Sequence, residues 1–304
     1  MKEYDIHPDF KVLGIWNPPA TSLMFRLENS FLDLVSQGIR SDGKCKVSKV
    51  KVETRDGKKI RLFIFEPKNV KKKTPALLYI HGGGFTNKAA PTHYMYAYQY
   101  ALKAKCKVFF VDYRLAPKNA YPIPLLDCQD AYEYILNHEE EYHIDGSRIA
   151  IGGDSAGGFL SASLIFKLHK ENKPLPIFVM LIYPVLDQRM ETLSMKEFTD
   201  TPIWNSKLNQ KMWKFLLGNQ KIVSPSEEKD VSFFPPTYLE TADYDCLHDE
   251  GALFAQRLEE NGISVIYHAT QGTVHGYDAI YKSKIAKDSV RLRIETLKKV
   301  FKNS

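Results

Sequence analysis

"RIAIGGDSAGGFL" (148–160) decides the fold. Residues 148–152 read as a short strand and 156–171 as a helix, with almost nothing between them. What lies between is G-x-S-x-G, with Gly153, Ser155 and Gly157 at the matching positions. A nucleophilic serine at the apex of a tight strand-to-helix turn sits in strained backbone, and bulky neighbours would clash with it. The next amide, on Ala156, then points outward at a helix N-terminus, where partial positive charge favours an anion. The spacing alone recurs by chance; its placement between a strand and a helix makes it specific.

Outward from this stretch the same alternation holds. Strand-like runs occupy 47–54, 60–66, 76–80, 108–113, 148–152, 177–183, 237–242 and 264–269. From residue 76 onward they are short, rich in Val, Ile, Leu, Phe and Tyr, and often apolar on both faces, as parallel strands covered by helices are. Helical patterns fill 92–105, 124–141, 156–171, 249–261 and about 277–301, with Thr92 and Asp249 as expected N-caps and the glycine of "ENGI" (260–263) as a stop. The fold class is α/β, an open, mostly parallel sheet with right-handed crossovers. Two segments break the alternation: 1–45, with an amphipathic run at 22–35, and 187–232, which holds Trp204, Trp213 and Phe215. Both read as accessory helices.

Serine is a poor nucleophile without a base, so a carboxylate and then a histidine should follow Ser155 in the chain. Of the late histidines, His268 falls inside the last strand, where a satisfied edge or core role is expected. His275, in the glycine-flanked loop "GTVHGY" beyond it, can reach the sheet's carboxyl edge. "TYLETADYDCLHDEG" offers the carboxylates. Asp249 is assigned to the helix cap. Asp245, in the loop proper, is the favoured acid, and Asp243, nearer the strand end, is the alternative. The run 76–80 ends in His81 and then three glycines, Gly82, Gly83 and Gly84. Attack on a carbonyl creates an oxyanion that needs two or three fixed N–H donors without obstructing side chains. Gly83 and Gly84, beside Ala156, are the expected donors, and His81 is expected to anchor the loop through hydrogen bonds.

Composition narrows the class. The chain has 304 residues, 44% hydrophobic and 26% charged, in the range of an ordinary globular protein. The formal charge of +6 comes with lysine-rich stretches at 68–73 and 103–107. No nucleic-acid module accompanies them, so they read as solvated lysine surface. Four cysteines without C-x-x-C spacing read as free thiols in a reducing compartment. The N-terminus lacks the apolar core of a signal peptide, and the longest apolar stretch, 177–186, is about half a membrane span. Cytoplasmic localisation, no nucleic-acid partner and no stable membrane insertion are the resulting expectations; a homodimer is left open. No zinc-type spacing and no phosphate loop call for a metal or an organic cofactor.

"HGGGF" (81–85), "DYRLAP" (112–117), "GDSAGG" (153–158), "YDCLHDEG" (244–251) and "HGY" (275–277) together resemble the hormone-sensitive lipase family of α/β-hydrolase esterases, in its order and spacing over 45–302. The resemblance implies an α/β-hydrolase fold with a catalytic part over 46–186 and 233–304 and a helical cap made of 1–45 and 187–232. It implies a nucleophile at Ser155, an acid at Asp245, a base at His275, and oxyanion donors at Gly83, Gly84 and Ala156. It further implies hydrolysis of short-chain esters of small molecules through an acyl-serine, in a pocket lined by cap aromatics. The alternatives are a deacetylase, amidase or peptidase of the same fold, or a non-catalytic binding protein built on it. Three positions depart from the family pattern: Cys246 stands where proline is usual, Lys118 where glutamate is usual and Phe159 where asparagine is common.

Overall fold

The apolar run that ends at His81 forms β3 (Thr74–Ile80), and every residue of it is buried because helices cover both faces of the sheet. In the computed structural model, which describes residues 4–15, 22–68 and 72–304, β3 lies within an eight-stranded sheet. The other strands are β1 (Cys45–Glu53), β2 (Lys59–Pro67), β4 (Lys107–Asp112), β5 (Ile144–Asp154), β6 (Phe178–Ile182), β7 (Thr237–Thr241) and β8 (Val265–Ala269), in spatial order β1-β2-β4-β3-β5-β6-β7-β8. The strand β2 is antiparallel to both of its neighbours, and β3 to β8 run parallel. Their carboxyl ends therefore share one edge, where the loops of interest gather.

Alternation along the strands splits the core in two. Leu78 and Ile80 pack with α4 (Ile123–Asn137), α5 (Ala156–Lys170) and α8 (His248–Glu260) on one face. Leu77 and Tyr79 pack with α3 (Pro91–Ala104) and α9 (Lys284–Asn303) on the other. The remaining helices lie outside the alternation, as expected: α1 (Pro8–Lys11) and α2 (Ser22–Gln37) precede β1, while α6 (Leu193–Glu197) and α7 (Ser206–Leu217) fall between β6 and β7. Residues 1–3 and 16–21 of the first segment, and 69–71 of the lysine-rich stretch 68–73, lie outside the described residues.

Several boundaries differ from the sequence expectation for local reasons. Ala90, not Thr92, caps α3, because Pro91 takes the first helical position, where its missing N–H costs nothing. The helix α8 has Leu247 at its cap; Asp249 instead reaches across to α6, accepting from the Ser194 amide at 2.7 Å. The terminal helix begins at Lys284, and residues 277–279 form a separate 3₁₀ turn. Lys107 is not solvated: it is buried, ion-paired with Glu66 and hydrogen-bonded to the Tyr142 carbonyl.

One feature had no sequence signal. Arg293, fully buried in α9, donates from Nε to Glu240 Oε2 (2.9 Å) and from Nη1 to Asp278 Oδ2 (2.7 Å). Tyr238 and Tyr277 hydroxyls, at 2.6 and 2.7 Å, complete the shell around Glu240. Paired charges of this kind are costly to break, since removing one strands the others in low dielectric. The cluster ties α9 and β7 to residues 277–278, immediately after His275. All four cysteines are free and buried. Among the described residues no helix is long and apolar enough to cross a membrane.

Candidate active site

Ser155 joins β5 to α5 with φ +54° and ψ −117°, a conformation that is strained for a residue with a side chain. Neighbouring backbone holds it there. Its N–H donates to the Ile182 carbonyl at 2.9 Å, and its own carbonyl accepts from Val185 N at 3.1 Å. The glycines around it supply room. A Cβ on Gly153 would stand 2.5 Å from Gly157 backbone and Ile80 O, one on Gly157 would run into the Ile80 carbonyl, and one on Gly158 would meet Pro184 Cβ at 2.6 Å.

His275 follows β8 and Asp245 follows β7, and the two strands are parallel neighbours. A bridge between Tyr244 and Val274 continues that pairing past the strand ends, so the next residue on each side, Asp245 and His275, lies level. His275 Nδ1 is 2.6 Å from Asp245 Oδ2, and Nε2 is 2.8 Å from Ser155 Oγ. An ionised carboxylate only accepts, so Nδ1 carries the proton and Nε2 is free to take one from the serine. Asp245 is fully buried, and its other oxygen accepts the Leu247 amide at 3.0 Å. Asp243 sits apart from the imidazole: its carboxylate accepts the Gly272 amide at 2.9 Å and shapes the turn that leads to His275. His268 bonds Ser289 Oγ at 3.1 Å from the edge strand and takes no part.

The glycine loop divides by the use of its amides. Gly82 N–H donates to Asp154 Oδ2 at 3.1 Å, whereas among the described residues the amides of Gly83, Gly84 and Ala156 have no acceptor. Gly83 and Gly84 have φ of +109° and +58°, and the Gly83 carbonyl is turned away to accept from Thr86 and Asn87. His81 anchors the loop: its Nδ1 donates to the Gly82 carbonyl at 2.6 Å and its ring stacks on Tyr113, 4.4 Å between centroids. Burial pushes its pKa down to about 4, so it is neutral.

Sequence reasoning missed the support beneath that loop. Asp154, the residue before the serine, also accepts from Tyr79 Oη (2.9 Å) and from His93 Nε2 (3.0 Å). The Ala90 amide donates to His93 Nδ1, which leaves the proton on Nε2, facing Asp154. Asp154 thus ties the serine turn to the glycine loop. It stood within the "GDSAGG" match without a role, and His93 carried no local signal. Glu250 was missed too. Burial first, then the charges of Asp187 and Asp245, push its pKa well up, and it accepts the Leu186 amide at 2.6 Å.

Aromatics of the 187–232 segment reach the site. The Trp204 ring lies 5.9 Å from that of His275, and a Cβ on Gly84 would stand 2.9 Å from Trp204 Cη2. Phe159 packs edge-on against Phe85 (5.5 Å) and Trp213 (5.4 Å), beneath the glycine loop. Tyr4 packs on Phe198 and donates to Asp200 at 2.7 Å, joining the N-terminal segment to the insertion.

Comparison with known proteins bears on the fold and the class of chemistry. A family model described as alpha/beta hydrolase fold matches residues 77–279. The chain is similar to carboxylesterase NlhH of Mycobacterium tuberculosis, 32% identical over 223 residues that cover 70% of each chain. It is similar to an ethyl acetate hydrolase of Pseudomonas putida, 28% identical over 76% of this chain and 75% of that protein. Among solved structures, a bacterial heroin esterase superposes with a TM-score of 0.90 at 31% identity, covering 98% of both chains.

Proposed function

Because this chain belongs to the hormone-sensitive-lipase-like family of α/β-hydrolase esterases and is a carboxylic ester hydrolase, we propose that it cleaves short-chain acyl esters through an acyl-serine intermediate on Ser155. The observation that carries this reading is the chain Asp245 Oδ2–His275 Nδ1 (2.6 Å) and His275 Nε2–Ser155 Oγ (2.8 Å), set beside three amides that have no acceptor among the described residues. Ser155 Oγ attacks the carbonyl carbon as its proton passes to His275 Nε2. Asp245 keeps the ring in the productive tautomer and stabilises the imidazolium. The oxyanion accepts from the amides of Gly83, Gly84 and Ala156, which are already oriented. The intermediate then expels the alkoxide, which leaves as the alcohol with the proton from Nε2. Water repeats the sequence on the acyl-serine, with His275 as base, and releases the acid.

The short-chain preference is supported by Trp204, whose ring lies 5.9 Å from that of His275 and packs against Gly84, bringing bulk next to the serine. The likeness to an ethyl acetate hydrolase points the same way. We read the segments 1–45 and 187–232 as a cap joined through Tyr4, Phe198 and Asp200. A panel of p-nitrophenyl esters from acetate to dodecanoate, with fluorophosphonate labelling mapped by mass spectrometry, tests the proposal. A kcat/KM that falls with acyl length and a label on Ser155 are expected. A rise toward dodecanoate, or a label elsewhere, would overturn it.

A further inference from the structure

Tyr183, the residue after β6, has φ +33°, a value that residues with side chains rarely adopt. Strand pairing continues up to it on both sides. Its N–H donates to the Glu240 carbonyl of β7 at 2.7 Å, and Ser155 N–H donates to the carbonyl of the preceding residue, Ile182, at 2.9 Å. The β5–β6 register pairs Asp154 with Ile182, so Tyr183 stands level with Ser155. What the positive φ changes is the face. Along β6 the side chains alternate: Val179 and Leu181 pack toward α4, α5 and α8, while Phe178, Met180 and Ile182 pack toward α3 and α9. Strict alternation would send Tyr183 to the first face. Instead it lies on the second, with Ile182 and Tyr277. Strain held at one residue by its surroundings is a pointer to function.

The redirected ring packs against His275, with centroids 4.9 Å apart and planes at 65°, an edge-to-face contact. Its hydroxyl donates to Asp278 Oδ1 at 2.8 Å, and the other oxygen of that carboxylate accepts from Arg293 at 2.7 Å. Tyr183 is thus buried and pinned at its far end to the buried ion cluster. The imidazole needs such a wall. Its bonds to Asp245 and Ser155 act at Nδ1 and Nε2, and rocking of the ring about the line through those two atoms leaves both distances unchanged. Contacts with the rest of the ring must resist that motion. Among the described residues two aromatic rings do so: Trp204, from the inserted segment, at 5.9 Å, and Tyr183, from the sheet edge, at 4.9 Å.

Resting on the esterase reading above, we propose that Tyr183 is a positioning residue for the reaction, its ring turned by the strained backbone onto the α3/α9 face and tethered by Asp278 so as to hold the His275 imidazole in the plane that joins Asp245 to Ser155. The proton taken from Ser155 Oγ leaves for the alcohol oxygen from the same Nε2. An imidazole that rocks out of plane slows both transfers and leaves the binding of the ester unchanged. Loss of the ring should therefore fall on kcat rather than on KM.

The test sets Tyr183→Leu beside Tyr183→Phe. None of the three side chains is branched at Cβ, so the backbone cost of φ +33° is shared and the first variant removes the ring. With p-nitrophenyl acetate, Tyr183→Leu should lower kcat by about 10- to 10²-fold with KM nearly unchanged, and Tyr183→Phe, which loses only the tether, should stay within about threefold of the wild type. A second measurement is independent of turnover: exchange of the His275 Nδ1 proton with water, followed by NMR and referred to the amides of β6. Tyr183→Leu should speed that exchange about tenfold relative to those amides, and Tyr183→Phe should not. If Tyr183→Leu does not fold, Tyr183→Met, flexible enough to fill the same space, replaces it in both measurements. Wild-type kcat in Tyr183→Leu, equal losses in the two variants, a loss confined to KM, or Nδ1 exchange that merely follows the β6 amides would each overturn the proposal. If the wild type leaves the ester uncleaved, the esterase reading is what fails, and the exchange measurement alone then decides the role of Tyr183.

Discussion

The two glycine-rich turns at the carboxyl ends of β3 and β5 use the same residue for different reasons. After β3, Gly83 and Gly84 occupy φ of +109° and +58°, a conformation that few residues with side chains adopt, and this is what frees their amides. After β5, Gly153 and Gly157 are outside that region; the left-handed residue there is Ser155 itself, at φ +54°. Their glycines are needed for space, since an added Cβ would meet backbone of Ile80 or of the turn itself. One turn is a conformational device that exposes donors. The other is a packing device that holds the strained Ser155 against its neighbours. The same substitution should therefore act on chemistry in the first and on stability in the second.

The largest effect is expected from Ser155→Ala, which removes the acyl carrier from the packed turn and should lower turnover by about 10⁶-fold with the fold intact. Burst and steady-state assays measure it, and near-normal turnover would mean that the strained turn carries no nucleophile. Next, Asp245→Asn should cost about 10⁴-fold in kcat by presenting the wrong imidazole tautomer. Asp243→Asn, which only loosens the Gly272 turn, should cost far less. Reversal of the two would move the acid to Asp243.

The glycines test the comparison directly. Gly83→Ala and Gly84→Ala should each lower kcat by roughly 10²-fold with little change in KM, because the donors engage the developing oxyanion. Both positive φ values and the approach of Asn87 O (2.7 Å) or Trp204 Cη2 (2.9 Å) add a loss of stability. Gly157→Ala should instead lower thermal stability by about 1–3 kcal/mol or more through overpacking. If kcat per folded molecule falls as far in Gly157→Ala as in the loop variants, the division between the two turns does not hold.

The smallest effect is expected where the turns are tied together. Asp154→Asn leaves one of three donors facing an amide N–H₂, costing about 1–3 kcal/mol in stability and of the order of tenfold in kcat. Burial alone would raise the Asp154 carboxyl, but His93 and Tyr79 hold it below its usual 3.8. A carboxyl depressed in the folded state contributes stability that is full above its unfolded value and is lost as pH falls through the folded one. Wild-type stability should thus decline in acid below about pH 4, more steeply than that of Asp154→Asn, as chemical denaturation across pH would show.

Most of the sheet was legible because each strand from 76 onward is a short apolar run bounded by turn residues, a local property of the chain. Ser155 and the glycines were legible for the same reason: their motifs lie within a few residues of the strands that place them. Caps were read less well. Asp249 has the composition of a cap, but its carboxylate serves the first turn of α6, more than fifty residues away in the chain, accepting the Ser194 amide beside that helix's own cap, Thr192. Nothing local distinguishes a side chain that caps its own helix from one that reaches another. His93, Arg293 and Glu250 were silent for a related reason: each acquires its role from a partner on a different element.

By itself the amino-acid sequence determined the α/β alternation, the strand-to-helix turn at Ser155 and the glycine loop after β3, since each follows from spacing along one strand–loop–helix unit, and it set the chain order of Ser155, the carboxylates of 243–245 and His275. It left open whether Asp243 or Asp245 faces the imidazole, since both lie within one short loop. The tertiary structure decided that: parallel pairing of β7 with β8, extended by the bridge from Tyr244 to Val274, sets Asp245 level with His275 and leaves Asp243 at the Gly272 amide. The same pairing across distant elements fixed Asp154 beneath the glycine loop and set Tyr183 beside His275. Register between strands is a long-range property, set by packing against the whole sheet, and a two-residue shift along a loop is smaller than anything local composition can resolve.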